Sequence, residues 1–174
     1  MIELMILGFL AEGPLHGYEL RRKMAQLHGY ARPISEGAIY PAITRLFAAG
    51  YVRAVSEPGT RAASRRTLHL TDEGLAALQS RLRSAEGHDI TDQSRYFIVL
   101  AFLSHLPDPG ERRAVLERRR AFLESAEGFF FEGDEPMRSR DMHDPYRRGI
   151  LQVARATRRA ELSWLAEEMT EDRP

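Results

Sequence analysis

The sequence predicts a mainly α-helical protein with one small β-hairpin, arranged as two domains along 174 residues. Three observations predict this. Apolar residues recur at helical spacing in three segments before residue 50. Two alternating segments follow at once, separated by a Pro-Gly turn. The second half then returns to helical periodicity throughout. Three helices followed by a hairpin is the winged variant of the helix-turn-helix, and the remainder reads as an all-helical domain.

The first helix is expected over residues 3–11, where Leu4, Leu7 and Leu10 share a face, with Ile6 alongside. Gly13-Pro14 ends it. A second helix runs from about Gly17 to Leu27, with Tyr18, Leu20, Met24 and Leu27 as its apolar stripe. The third covers about Ser35 to Ala49 and buries Ile39, Ile43, Leu46 and Phe47; Gly50 stops it. Pro41 lacks an N–H and is comfortable only near a helix start, which places that start close to Gly37. Tyr51 to Val55 and Arg66 to Leu70 alternate like strands around Glu57-Pro58-Gly59-Thr60, giving a hairpin with a basic tip at Arg61 and Arg65. Thr71 caps the next helix, with Asp72 and Glu73 at its positive end and Leu75, Leu78 and Leu82 buried.

Composition shifts at Gly87-His88-Asp89, which divides the chain into residues 1–86 and 87–174. Residues 93–106 are apolar on most sides and predict a central helix. Asp108-Pro109-Gly110-Glu111 starts another, with Asp108 as cap, Pro109 first and Glu111 closing a capping box. Val115, Phe122, Ala126 and Phe129 continue its apolar face. Gly133 to Asp144 reads as a polar loop. Asp144-Pro145 starts the last helix, which runs to about Met169 with Ile150, Val153, Leu162, Leu165 and Met169 on its buried side.

The net charge of zero conceals an asymmetry. Residues 1–84 carry 11 Lys and Arg against 7 Asp and Glu, a net of +4, and residues 85–174 carry 14 against 18, a net of −4. Such a division suggests that the first half alone meets a polyanion. The longest strongly apolar run, Ile98 to Leu103, is far too short to span a bilayer, and the N-terminus lacks the basic start of a signal peptide. Cysteine is absent, which excludes disulfides and thiolate chemistry and is compatible with the cytoplasm. The six histidines show no paired ligand spacing, so neither zinc nor another cofactor is expected. No phosphate-cradling loop or nucleophile elbow is present, and no catalytic set converges.

The major groove of DNA admits one α-helix. Gly37, Ala38 and Ala42 make the leading edge of the third helix small enough to approach it, and Ser35, Tyr40 and Thr44 can hydrogen-bond phosphates or base edges. Arg45 lies one turn beyond Pro41, within reach of the backbone. Free amides at the start of this helix, and at His16 to Tyr18, suit phosphate. Packing of Tyr40 on Tyr18 is the alternative use of that pair. Arg61, Arg65 and Arg66 suit backbone or minor-groove contact; an ordinary solvated loop is their alternative.

His16-Gly17-Tyr18-Glu19-Leu20, Ser35-Glu36-Gly37-Ala38-Ile39-Tyr40-Pro41, Arg45-Leu46, Gly50 and Leu70-Thr71-Asp72-Glu73-Gly74 occur in an order and spacing that resemble the PadR family of bacterial transcription regulators. The resemblance covers residues 4–84. Ala160-Glu161-Leu162-Ser163-Trp164-Leu165 is similar to that family's closing dimerisation helix, whereas residues 85–140 match loosely. The second wing strand departs from the family, with Thr67-Leu68-His69-Leu70 where an aromatic pair is usual, so detailed wing contacts are not carried over.

The resemblance implies a cytoplasmic homodimer that binds an inverted-repeat operator in double-stranded DNA, acting as a repressor and relieved by a small-molecule effector of unknown identity. It implies DNA contact by His16, Tyr18, Ser35, Gly37, Ala38, Tyr40, Thr44, Arg45, Arg61, Arg65 and Arg66, and dimerisation through Ile150, Val153, Leu162, Trp164 and Leu165. Phe129-Phe130-Phe131 and Trp164 are candidates to line an effector cavity, with core packing as the alternative. The rival functions are an activator or co-activator, and a protein-interaction module that no longer binds DNA.

Overall fold

A computed structural model describes residues 1–28, 36–57, 65–125, 131–132, 135–136, 138 and 142–170. It divides the chain into two compact units, Met1–Arg112 and Arg113–Pro174. Residues 87–112, which lie beyond the compositional break, thus pack with the first unit.

The first unit is a winged helix-turn-helix with helices added after the wing. Its elements are α1 (Ile2–Glu12), β1 (Leu15–His16), α2 (Gly17–His28), α3 (Glu36–Ala48), β2 (Val52–Glu57), β3 (Arg65–Leu70), α4 (Asp72–Arg83), α5 (His88–Thr91) and α6 (Gln93–Ala101), then a 3-10 turn at Leu103–His105. The helix expected over 93–106 therefore breaks at Phe102. The sheet is three-stranded rather than a simple hairpin, in the order β1-β3-β2. Leu15 faces Leu68 and His16 faces Thr67 across the antiparallel β1–β3 pair. A two-residue strand is too short to show alternation, so no periodicity announces it.

The core forms around α1, in which every residue from Leu4 to Leu10 is buried. At Gly8 an added Cβ would lie 2.4 Å from the Phe102 ring, so only glycine allows this approach. Phe102 also meets Phe9 edge-on, with ring centroids 5.0 Å apart. Leu20 and Met24 of α2, Ile39, Ala42, Ile43 and Leu46 of α3, and Leu78 and Leu82 of α4 complete this core. Three residues expected in it face outward: Tyr18 is 67% exposed, Leu75 37% and Phe97 47%. Leu75 lies at the margin of its helix's apolar arc, whereas Tyr18 and Phe97 lie well away from the arcs that their buried neighbours define, on helices whose apolar residues are not confined to one side.

One joint connects α3 to the wing. Gly50 takes φ +74°, its N–H donates to the Phe47 carbonyl, and Tyr51 N–H donates to the Leu46 carbonyl, closing α3. The Tyr51 carbonyl accepts from Thr71 N–H at 3.1 Å. Thr71 caps α4 as expected, accepting from Gly74 N–H at 3.0 Å while its own hydroxyl donates to the Gly50 carbonyl at 2.7 Å.

Helix α7 (Pro109–Glu124) begins at the Asp108 cap, which accepts from Gly110 N–H at 2.9 Å. Glu111 does not close the expected box; it binds Arg83 through both carboxylate oxygens, at 2.6 and 2.9 Å. A bidentate guanidinium is the better partner than one backbone amide.

The second unit holds the rest of α7, the short antiparallel pair β4 (Phe131–Glu132) and β5 (Glu135–Pro136), and α8 (Pro145–Thr170). The Asp144 cap of α8 accepts from Tyr146 N–H at 2.8 Å. Arg119 of α7 and Glu161 of α8 form a buried pair, 3% and 10% exposed. The buried side of α8 carries Leu151 and Leu165. Ile150 and Val153, expected on that side, are instead 60% and 67% exposed. The helical arc that contains Leu151 excludes residue 150 by about 100° of rotation, and the sequence offers apolar residues on both arcs.

Candidate nucleic-acid interface

Helix α3 separates its residues into two faces. Ile39, Ala42, Ile43 and Leu46 are buried, while Gly37, Tyr40, Pro41, Thr44, Arg45 and Ala48 are exposed. The buried set fixes the helix on the core, and the exposed set forms a continuous strip along the other side. Nothing within 4 Å would meet a Cβ added at Gly37. Tyr40 is 62% exposed, so it is not consumed by packing. Ala38 is half-buried at the edge of the strip. Helix α3 starts at Glu36, and Pro41 falls in its second turn, in keeping with the start inferred from its missing N–H.

The Thr44 hydroxyl donates back to the Tyr40 carbonyl at 3.0 Å. Its proton is thus committed to the helix, and what Thr44 presents outward is a methyl group and oxygen lone pairs. Arg45 stands at the margin of the strip, where its Nε donates to Glu3 of α1 at 2.8 Å. Arg81 of α4 donates to the other oxygen of Glu3 at 2.9 Å. Burial raises the Glu3 pKa, but the Arg45 hydrogen bond and the Arg81 charge and hydrogen bond outweigh it and hold the carboxyl below its ordinary value. Sequence reasoning missed this cluster because Glu3 and Arg45 are 42 residues apart and no motif joins them.

The start of α2 is differently occupied. His16 N–H donates to the Glu19 carboxylate at 3.1 Å, so that amide already has an anionic partner within the chain. The His16 ring is held against the wing: its Nδ1 lies 3.2 Å from Thr67 Oγ1 and 3.5 Å from the Arg66 carbonyl. His16 therefore ties the beginning of α2 to β3 and presents no free edge through Nδ1. Tyr18 is exposed, with the Arg21 guanidinium 5.7 Å from its ring centre. On the wing, Arg66 is exposed and faces Ser56 across the β2–β3 ladder. Ser35, Arg61 and the side chain of Arg65 lie outside the described residues.

On α8, Tyr146, Ile150 and Val153 are 83%, 60% and 67% exposed. Their spacing of four and then three residues puts them on one face. Leu162 and Trp164 are half-buried, and Leu165 is fully buried. Phe129 and Phe130, and the side chain of Phe131, lie outside the described residues. Among the described residues, no group of three or more His, Asp or Glu could hold a metal ion, and no helix is long and apolar enough to cross a membrane.

Residues 6–80 match the model of the transcriptional regulator PadR-like family. Curated proteins give no match. Among solved structures, the Thermoplasma acidophilum protein TA0346 is 30% identical over 46% of this chain and 75% of its own, with a TM-score of 0.42. A transcriptional regulator from Clostridium thermocellum is 26% identical over the same shares, also at 0.42. Bacillus subtilis PadR, solved in complex with operator DNA, is 22% identical over 96% of this chain and 97% of its own, with a TM-score of 0.47.

Proposed function

Because this chain belongs to the PadR-like family of transcriptional regulators, we propose that it binds double-stranded DNA as a homodimer and represses transcription by covering an inverted-repeat operator. The observation that carries this reading is the exposed strip of α3, small at Gly37 and polar at Tyr40 and Thr44, on a helix anchored by its opposite face. Such a strip suits a major groove, where Tyr40 can hydrogen-bond and the Thr44 methyl can meet a thymine methyl. The first 86 residues supply the reader and residues 87–174 the dimer contact. His16 acts as a positioning residue for the wing, Tyr18 offers an exposed ring from α2, Ala38 edges the strip, and Arg66 contributes backbone affinity together with Ser35, Arg61 and Arg65. The protein acts in the cytoplasm, without a catalytic step, and an effector shifts the spacing of the two readers by a coupling of about 1–3 kcal/mol.

Fluorescence anisotropy with the DNA upstream of its own gene tests this. About six phosphate contacts per dimer lower affinity roughly a thousandfold between about 50 and 200 mM salt. Arg66→Ala weakens binding to all sequences alike and reduces the salt slope by about 1 for each phosphate it no longer neutralises, whereas Thr44→Ala changes the sequence preference. Absence of specific binding to that DNA would count against the reading and favour a protein-interaction module. Activation of a reporter, rather than its silencing, would replace repressor by activator.

The exposed face of α8 is the proposed dimer contact. Ile150 and Val153 cover it directly, Trp164 extends it, and Leu162 and Leu165, on the arc of Leu151, support the helix from within. Placing aspartate at both Ile150 and Val153 buries like charges across a two-fold axis. Sedimentation equilibrium at micromolar concentration then reads a monomer for the double variant and a dimer for the parent chain.

A further inference from the structure

Two arginines converge on one carboxylate beside the reading strip. Glu3, in the first turn of α1, accepts from Arg45 Nε at 2.8 Å and from Arg81 Nη2 at 2.9 Å. The Glu3 side chain is 25% exposed, against 63% for Arg45 and 38% for Arg81. All three line an open cleft that Ser84 and Asp89 share. Arg45 immediately follows Thr44 on α3, so its guanidinium is within a side chain's length of anything lying on the strip. Its charge is nevertheless already engaged.

We propose that Glu3 competes with DNA phosphate for Arg45, and so sets how tightly this protein binds DNA of any sequence. The proposal rests on the DNA-binding reading above. To a guanidinium, a carboxylate and a phosphate are equivalent kinds of ligand, each offering anionic oxygens in a plane it can bridge. Arg45 therefore leaves Glu3 when a phosphate arrives, and returns when it departs. Arg81 makes this exchange feasible. It stays on Glu3 throughout, so the carboxylate, three-quarters covered, is never left unpaired, which would be costly.

The exposed Arg45 side of the pair is weak and screened by salt. Its competition is strongest at low ionic strength, where non-specific binding is also strongest. Glu3 thus weakens one backbone contact per protomer in non-specific complexes and flattens their salt dependence. Sequence discrimination by Tyr40 and Thr44 is untouched, because neither bonds to Glu3.

The test is anisotropy titration of the full chain against a duplex of unrelated sequence, for Glu3→Gln, Arg45→Ala and the double variant. Glutamine keeps an acceptor oxygen for Arg81, and a thermal melt checks that each variant is folded. Glu3→Gln is expected to bind about fivefold more tightly per protomer at low salt, the upper end for an exposed pair. That gain shrinks towards about 200 mM salt and is absent in the Arg45→Ala background. Glu12→Gln is the control for bulk charge: it makes the same change on the same helix, but its carboxylate pairs with Lys23 at 2.9 Å, and it should not reproduce the gain. Unchanged affinity in Glu3→Gln overturns the proposal and leaves the DNA-binding reading standing. So does an equal gain in the Arg45→Ala background or in Glu12→Gln, since the effect is then one of overall charge. A parent chain that binds no duplex at any salt overturns both.

Discussion

Replacing Gly74 with alanine lowers stability by about 3 kcal/mol, the upper end of the cost of overfilling a packed interior. In an ordinary helix the same change is favourable by about 1 kcal/mol, because alanine is the better helix former. Here the added Cβ would lie 2.1 Å from the Tyr51 carbonyl oxygen and 2.7 Å from Leu70 Cδ1. The leucine methyl can rotate away, but the carbonyl cannot. It accepts the Thr71 N–H, and Tyr51 is held from its other side by its own N–H bond to Leu46. Helix α4 must therefore lift off the joint, and the Thr71 cap goes with it. A denaturant titration reads this as a lower midpoint. An unchanged or raised midpoint would mean that the first turn of α4 does not lie on Tyr51.

The second large effect is expected in the other unit. Arg119 donates to both oxygens of Glu161, at 2.6 and 3.0 Å, and its guanidinium lies 5.4 Å from the centre of the Phe122 ring. With side chains 3% and 10% exposed, neither charge can be resolvated in place. Arg119→Ala leaves the carboxylate buried without this partner and costs about 3–5 kcal/mol. The pair's net contribution is smaller than that, because two charges had to be desolvated to form it. Arg119→Met combined with Glu161→Leu is therefore expected to recover most of the loss. Thermal melts of Arg119→Met, Glu161→Leu and the double variant close the cycle. A double variant as unstable as the worse single one would show that the charges are needed for more than filling the interior.

Much of this architecture is legible in the sequence because it depends on local chemistry. The Thr71, Asp108 and Asp144 caps, the Gly50 stop and the start of α3 near Gly37 each follow from what one residue's backbone or side chain can do. What the sequence hides depends on distant partners. β1 exists only because Leu15 and His16 meet Leu68 and Thr67 of β3, far along the chain, and Glu3 meets Arg45 across a similar interval. Glu111 has the look of a capping residue, but Arg83 offers it a stronger bond. Periodicity fails where a helix carries apolar residues on two arcs: in α8 it does not say that Leu151 turns inward while Ile150 and Val153 turn out. For the interface, sequence reasoning names Tyr40 and Thr44, and the structure leaves both on the open strip. It does not reveal that Arg45 is shared with Glu3, or that the His16 ring is spent on the wing.

The two faces of α3 have no residue in common. Ile39, Ala42, Ile43 and Leu46 hold the helix in place, while Gly37, Tyr40, Thr44 and Ala48 contribute little to burial. Exposed substitutions of this kind usually change stability by no more than about 0.5 kcal/mol. After a gene duplication, the outer strip can therefore accumulate changes while the copy still folds. A lineage built on this helix can acquire new targets one residue at a time, without first evolving extra stability to tolerate them.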